Sequence, residues 1–589
     1  MSTLPCWDLE SIYPESDDTL FNADIASLSS AALEIETLVS SKQTASFDDI
    51  VFKKLISLYE TMLDTYETID AYANALLSVN TADERAVRKV NDAGKAGLTV
   101  QRIHVAVVEF MYLHRTEVEQ LLQRPSWDSY RYVISLLLDE KQHLMSSEME
   151  DLAADLNRSG SDAFTRLHEA VTSSASIEMD GEKKTVIELR AMAFAPDRKV
   201  RKKAFSKELE LLKEHETALA FALNGVKGTA LTLYGRRNYS DALENALKQS
   251  RISRKVLDAM ISSIEDHRSM FERYFTVKAH YLGLDRLSFY DLFAPVGESA
   301  SSYTFAEARS VIIDRFSSFH PQMGSFAKMA FEKGWIDSAP HAGKVGGAYC
   351  TSFPSRKETR ILCNYDGSFD ALSTVAHELG HGYHDWVTKD LPALQRHYPM
   401  TLAETASIFS QFIIFQGVLE NNSGPESITF IESFLSDASQ TCIDILSRFY
   451  FEQELFEKRK EGELSPQKLC DLMTDAQKRS YGNGLKEEDL HPYMWAVKGH
   501  YYSVDLPFYN FPYAFGQLFS LGLYREYEKD RENFPQRFDA LLRLTGVDKA
   551  EKVTESAACD ITDRRFWDES LSVVGKYIDR FCDLTGYSK

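Results

Sequence analysis

The chain has 589 residues, 44% of them hydrophobic, with only 16 Pro and 28 Gly. That is more apolar content than one small core needs and too few breakers for long linkers. Roughly two to four domains, or one large helical unit with subdomains, are expected. The balance of 66 basic against 88 acidic residues, a formal net charge of −22, excludes a nucleic-acid or anionic-membrane binder and otherwise serves solubility.

In chain order, Val51 to Val79 places Leu55, Leu58, Tyr59, Met62, Tyr66, Ile69 and Tyr72 at three- and four-residue spacing, which predicts an amphipathic helix. The same periodicity predicts helices across 116–157, 200–234, 255–282 and 427–460. "IEMDGEKKTV", Ile177 to Val186, sets Asp180-Gly181 between short β-prone arms and predicts a hairpin. The basic run "DRKVRKKAF", Asp197 to Phe205, reads as a solvated helix start rather than a docking patch. No composition shift marks a hard boundary, and these two weak points suggest a helical domain over 1–190 and a second over 191–589. "GKVGGAYCTSFPSRKETRILCNYDG", Gly343 to Gly367, offers extended runs at Ala348–Phe353 and Arg360–Asn364 around a polar turn. This small sheet directly precedes a histidine-rich stretch.

Seven cysteines (Cys6, Cys350, Cys363, Cys442, Cys470, Cys559 and Cys582) are scattered with no C-x-x-C. They fit a reducing compartment, and neither a disulfide framework nor a cysteine zinc site. The first residues show no basic stretch followed by an apolar run, and no apolar run approaches the ~20 residues of a membrane span. A soluble cytoplasmic protein, with no membrane or nucleic-acid partner, is expected.

The histidine stretch is "TVAHELGHGYHDWV", Thr374 to Val387. Ser368 or Asp370 can cap a helix running through Leu372, Val375, Leu379, Tyr383 and Trp386. His377 and His381 then share one face, one turn apart, and both can reach a single ion at the ~2.0–2.1 Å that zinc needs. Glu378 points to the side, placed to hydrogen-bond a metal-bound water rather than to ligate. His384 lies ~7.5 Å along the axis from the midpoint of the pair, so packing or outer hydrogen bonding suits it better. A third ligand is available in "MTLAETASIFSQF", Met400 to Phe412, where Glu404 sits among apolar residues and is costly to bury unless paired or metal-bound. Thr401-x-x-Glu404 is equally a capping box, and local spacing leaves these readings even. Asp385 and Asp390 are rival ligands, although Asp385 lies on the histidine helix itself. A plain helix with two surface histidines and a salt-bridging glutamate is the alternative to any metal site.

His377-Glu-Leu-Gly-His381-Gly-Tyr-His384, followed by Ala403-Glu404-Thr-Ala-Ser407, resembles the M3 metallopeptidases. The oligoendopeptidase F branch, with H-E-x-G-H-x-x-H and then A-E-x-A-S, is the nearest match. "WDLESIYP" at Trp7, "GKVGGAYC" at Gly343 and "HYYSVDLPFYNFPYAFG" from His500 to Gly516 resemble further segments of that branch. Phe511 departs from it, standing where the branch usually has Tyr, so any hydroxyl role there passes to Tyr509 or Tyr513 or is lost.

The resemblance implies a mainly α, gluzincin-like fold. Two halves would surround a deep channel, with the small sheet near the site and the catalytic domain over 191–589. It implies one zinc per chain held by His377, His381 and Glu404, with Glu378 as general base on zinc-bound water. It tips Glu404 from an even choice to a ligand. His500 and Tyr509 become candidate donors to the oxyanion. For Tyr501, Tyr502 and Tyr513, substrate contact is weighed against core packing. Gly347, Ala348 and Tyr349 suggest an exposed strand edge that reads peptide backbone rather than sequence, against a plain hairpin turn. The implied activity is endopeptidase cleavage of short unfolded peptides. A zinc carboxypeptidase would need a cationic anchor that the sequence does not identify, and a non-catalytic peptide scaffold would not need His377, Glu378, His381 and Glu404 intact. Oligomeric state is left open.

Overall fold

A computed structural model describes residues 4–14, 17–42, 47–297, 302–422, 424 and 426–587. Helices dominate, and five short strands occur among the described residues. They are β1 (Ser176–Met179), β2 (Glu182–Thr185), β3 (Ile336–Asp337), β4 (Tyr349–Phe353) and β5 (Glu358–Leu362). The chain divides into two compact units, each assembled from three separated segments. One comprises Met1–Gln142, Ser301–Val418 and Leu523–Ala558; the other comprises His143–Ala300, Leu419–Gly522 and Cys559–Lys589. Both units draw on chain from either side of residue 190.

In the first unit, α1 (Thr19–Lys42), α2 (Asp49–Val79) and α3 (Glu84–Leu113) pack against one another. Asp48 and Asp83 start α2 and α3 by accepting backbone N–H bonds from Val51 and Arg85, satisfying donors that a helix start leaves orphaned. Leu55, Tyr59, Met62, Ile69 and Tyr72 of α2 are buried, as the periodicity predicts. The helix expected across 116–157 is instead several short ones. Pro125 begins a 3-10 turn, Pro125–Tyr130, between helices Arg115–Leu121 and Arg131–Glu140, because proline cannot donate into a continuing helix.

β5 is the centre of a three-stranded sheet, parallel to β3 and antiparallel to β4, with Tyr349 opposite Leu362 and Phe353 opposite Glu358. β3 was not expected; two residues are too short to carry a pattern. Lys344, its side chain wholly buried, pairs with Asp337 at 2.6 Å and donates to the Cys363 carbonyl at 2.7 Å. The same sheet edge holds the opening segment: the Asp8 N–H donates to the Gly334 carbonyl at 2.7 Å, and Ser338 N–H to Pro5 at 2.9 Å. Two sequence-distant segments, "WDLESIYP" and "GKVGGAYC", thus meet on one small sheet.

Helix Phe369–Thr388, capped by Ser368 through the Ala371 N–H, packs on β4 and β5. Helix Thr405–Asn421 follows it in the chain, after the short turns Ala393–Arg396 and Met400–Ala403. The helical run Met400–Asn421 corrects one expectation: it holds an 18-residue stretch apolar enough for a span, and 72% of that stretch is buried in the fold. Its Phe409 packs against Phe319, Phe534 and Phe538, which is how a core helix uses such composition.

In the second unit, β1 and β2 form the expected hairpin, with Asp180 (φ 56°) and Gly181 (φ 83°) as its two-residue turn. Asp197 caps the long helix Arg198–Arg236. The basic run opening that helix is not simply solvated: Arg198 and the buried Arg201 both clamp the buried Asp291. The periodicity across 255–282 resolves into two helices, Arg254–Asp266 and Arg268–Tyr281. That across 427–460 becomes Ser427–Ser439 and Ile445–Glu461, joined by a π-helical turn at Gln440–Asp444. A π turn shifts the register of every later side chain, and such turns cluster at functional sites.

Candidate metal centre

The first unit brings together three of the expected residues. His377 Nε2 and His381 Nε2 stand 3.2 Å apart, and Glu404 Oε2 lies 3.3 Å from the former and 3.5 Å from the latter. Three donors held ~2.0–2.1 Å from one ion in a tetrahedral array stand ~3.3–3.4 Å apart, so the edges of this triangle fit such an ion. No other His, Cys, Asp or Glu group of this kind occurs among the described residues.

The donor chemistry agrees with the spacing. His377 donates from Nδ1 to Gln411 Oε1 at 2.7 Å, which leaves Nε2 as a lone pair aimed into the triangle. Gln411 in turn donates to Ser373 Oγ at 3.2 Å, and Ser407 Oγ donates to Glu404 Oε2 at 2.8 Å. Burial alone would push the Glu404 carboxyl up, but the two histidines hold it well below the usual carboxylate range. Burial lowers His377, yet Glu404, with Glu378 and Gln411, more than offsets that and raises it. The capping-box reading of Glu404 fails: Pro399 occupies the N-cap of the Met400–Ala403 turn, and no side chain caps it.

Glycine explains how the carboxylate reaches its partners. A Cβ on Gly380 would lie 2.6 Å from the Ala406 carbonyl oxygen and 2.6 Å from Ser407 Cα. Only a residue without a side chain lets the histidine helix come this close to the segment carrying Glu404. Sequence reasoning missed Gly380, Ser407 and Gln411 as contributors. The signal was present for Gln411, which follows Glu404 by two helical turns.

Glu378 is 6% exposed. Burial raises its pKa, with Glu404 adding to the rise, while His377, His381 and a hydrogen bond from the Cys350 backbone N–H oppose it. Its carboxylate is therefore tied to β4. The Gly346 and Gly347 positions leading into β4 are exposed and open, with nothing within 4 Å of a Cβ at either. Ala348 and Tyr349 are half-buried, and the Tyr349 ring meets Trp7 edge-on at 6.3 Å. β4 is an edge strand of its sheet.

The other residues singled out in this stretch lie apart from the triangle. His384 is fully buried, stacked on Tyr398 and bonded to Thr545 Oγ1 at 2.9 Å, a packing position. Asp390 pairs with Lys357 on the surface. Asp385 is pushed up to about 7, by burial first and Glu67 among its neighbours.

In the second unit, His500 is half-buried, its ring stacked on Tyr509 at 5.6 Å between centroids. Burial, with Arg448, Lys227 and Lys498, lowers its pKa to about 2. The Tyr509 and Tyr513 hydroxyls are hydrogen-bonded at 2.7 Å. Phe511 is buried. Tyr502 is fully buried and stacked on His168 at 3.8 Å, and Tyr501 is likewise core, so packing accounts for both.

Comparison with known proteins follows the same lines. Residues 191–573 match the model of peptidase family M3, and residues 109–176 that of Oligopeptidase F. Oligopeptidase PepF of Bacillus subtilis is 25% identical over 468 residues, which is 77% of this chain and 69% of that protein. Two crystal structures share the fold. One is of a Chlamydophila abortus protein, with a TM-score of 0.81 at 18% identity over 98% of each chain. The other is oligoendopeptidase-F of Enterococcus faecium, with a TM-score of 0.70 at 19% identity, covering 97% of this chain and 100% of that one.

Proposed function

This chain belongs to peptidase family M3, and on that premise we propose that it is a zinc-dependent oligopeptidase of the cytoplasm, cutting internal bonds of short unfolded peptides. It is a metalloendopeptidase by family, and the proposal concerns its metal, residues, substrates and location. The observation that carries it is the His377–His381–Glu404 triangle with the Glu378 carboxylate beside it.

His377, His381 and Glu404 would hold the zinc, which would supply a Lewis acid for activating water and a peptide carbonyl. Glu378 takes the proton of the attacking water on its carboxylate and delivers it to the leaving amine. Its raised pKa suits both halves of that task, since a carboxylate matched nearer to working pH both accepts and returns a proton. Gln411 and Ser407 orient His377 and Glu404. His500 and Tyr509 donate to the oxyanion of the substrate, and Tyr513 supports Tyr509 through the hydroxyl pair. The Gly347-Ala348-Tyr349 edge pairs with substrate backbone, which suits broad side-chain specificity. The M3 catalytic module is taken as 191–589, supported by the family match that begins at 191. Seven unbridged cysteines support a reducing compartment.

The test is zinc content by mass spectrometry together with cleavage of internally quenched peptides. About one zinc per chain, internal cleavage, loss of activity on chelation and recovery on zinc addition are expected. Release of single C-terminal residues would make it a carboxypeptidase. Absence of both zinc and cleavage would leave only a peptide-binding scaffold.

A further inference from the structure

We propose that Asn510 and Arg448 lock His500 as the neutral Nδ1–H tautomer, so that it serves the substrate as a fixed hydrogen-bond donor and never as a proton carrier. The chain of contacts lies within the second unit. Asp444 closes the π turn Gln440–Asp444 and is buried there, accepting from Arg448 and, at 3.1 Å, from the Tyr481 hydroxyl. Arg448 Nη1 donates to Asn510 Oδ1 at 2.9 Å. That contact decides which way the amide faces: turned over, its NH₂ would meet a guanidinium that can only donate. The amide nitrogen must therefore face His500, and it donates to Nε2 at 2.7 Å.

A neutral imidazole has one N–H and one lone pair. With the lone pair on Nε2 engaged, the proton sits on Nδ1. Adding a second proton would set Nε2–H against the Asn510 NH₂, donor against donor, and would add a cation beside Arg448, Lys498 and Lys227, which are the charged groups facing the ring. Of these, Arg448 is offset by Asp444 and Lys227 by Glu452. Tyr501 meets the ring edge-on and Tyr509 stacks on it. Asn510, Arg448 and Asp444 are thus positioning residues acting through His500. The donor role rests on the peptidase reading above; the tautomer does not.

The tautomer is read directly from two-bond ¹⁵N–¹H correlation spectra of the full chain, with His500 identified by difference from His500→Gln. A single Nδ1–H signature, unchanged from about pH 5 to 9, is expected. An Nε2–H signature, or titration in that range, overturns the proposal without any variant of the lock having to fold. The functional arm is the pH profile of kcat/KM for Asn510→Asp. A carboxylate there draws the proton to Nε2, so the donor survives only while the ring is doubly protonated. Activity should then fall by about 10²–10³-fold as pH rises through the new His500 pKa, the usual loss of one oxyanion donor, and return as pH is lowered. The wild type should show no such limb. A profile in Asn510→Asp parallel to wild type overturns the lock. A preparation with the Nδ1–H signature that cleaves no peptide would sink the peptidase reading and the donor role with it.

Discussion

Replacing Gly380 with Ala tests whether the metal site depends on how closely two backbones approach. The new Cβ would lie 2.6 Å from the Ala406 carbonyl oxygen, 2.6 Å from Ser407 Cα and 2.7 Å from Ser410 Oγ. Carbon atoms rest at about 3.5–4.0 Å from their neighbours, and two of these obstacles are main chain, which cannot rotate aside. The Phe369–Thr388 helix and the segment carrying Glu404 must therefore part by about 1 Å. Glu404 heads that segment, so its 3.3 and 3.5 Å distances to the imidazoles lengthen by a similar amount. Metal–ligand bonds tolerate only about 0.2 Å. The overpacking should cost about 1–3 kcal/mol of fold stability. Metal affinity should fall by about 100-fold or more, beyond the loss expected on removing an outer hydrogen-bond partner. Competition for zinc against a chromophoric chelator, with thermal melts of the metal-free protein as control, measures both. A variant whose zinc affinity stays within about threefold of wild type, with the metal-free fold intact, would refute the coupling.

Glu378→Gln should keep its metal and lose turnover by about 10²–10⁴-fold, the usual contribution of a positioned acid–base group; a loss smaller than about tenfold in steady-state cleavage would remove Glu378 from that role. His384 is held neutral, its pKa lowered from 6.5 to about 3 by burial first and His381 next. Its unfolded form takes a proton below about pH 6.5 and the folded form does not, so stability present above that pH drains away as pH falls toward 3, by up to roughly 1.4 kcal/mol per unit. Denaturant unfolding of the metal-free chain across that window should show a shallower slope in His384→Gln; an unchanged slope would assign the acid sensitivity elsewhere.

Much of this architecture is legible in the sequence where a repeating pattern spans several turns. The α2 helix and the Ser368-capped helix bearing His377 and His381 announce themselves by periodicity and a start signal. So do the β1–β2 hairpin, through Asp180-Gly181, and the β4–β5 pair. What stayed hidden depends on distant partners. Nothing near Arg201 foretells that Asp291 will bury it, and periodicity alone does not register a break at Pro125 or at His267. The Met400–Asn421 window shows the limit of composition, since the same apolar run serves a core or a bilayer. At the site, ligand types and spacing picked out His377 and His381, and the family resemblance tipped Glu404 from an even choice to the third ligand. Gly380 carries its role by having no side chain, a role visible only once Ala406 is seen beside it.

The Met400–Asn421 segment carries a further consequence. Glu404 sits within the one run among the described residues that is apolar enough for a bilayer, and a bound cation would fasten it to the histidine helix. Ligand binding to the native form alone adds to its stability, so metal starvation would loosen one attachment of a segment that is sticky once exposed. A cell short of that metal would then face precipitation of this protein as well as its idleness.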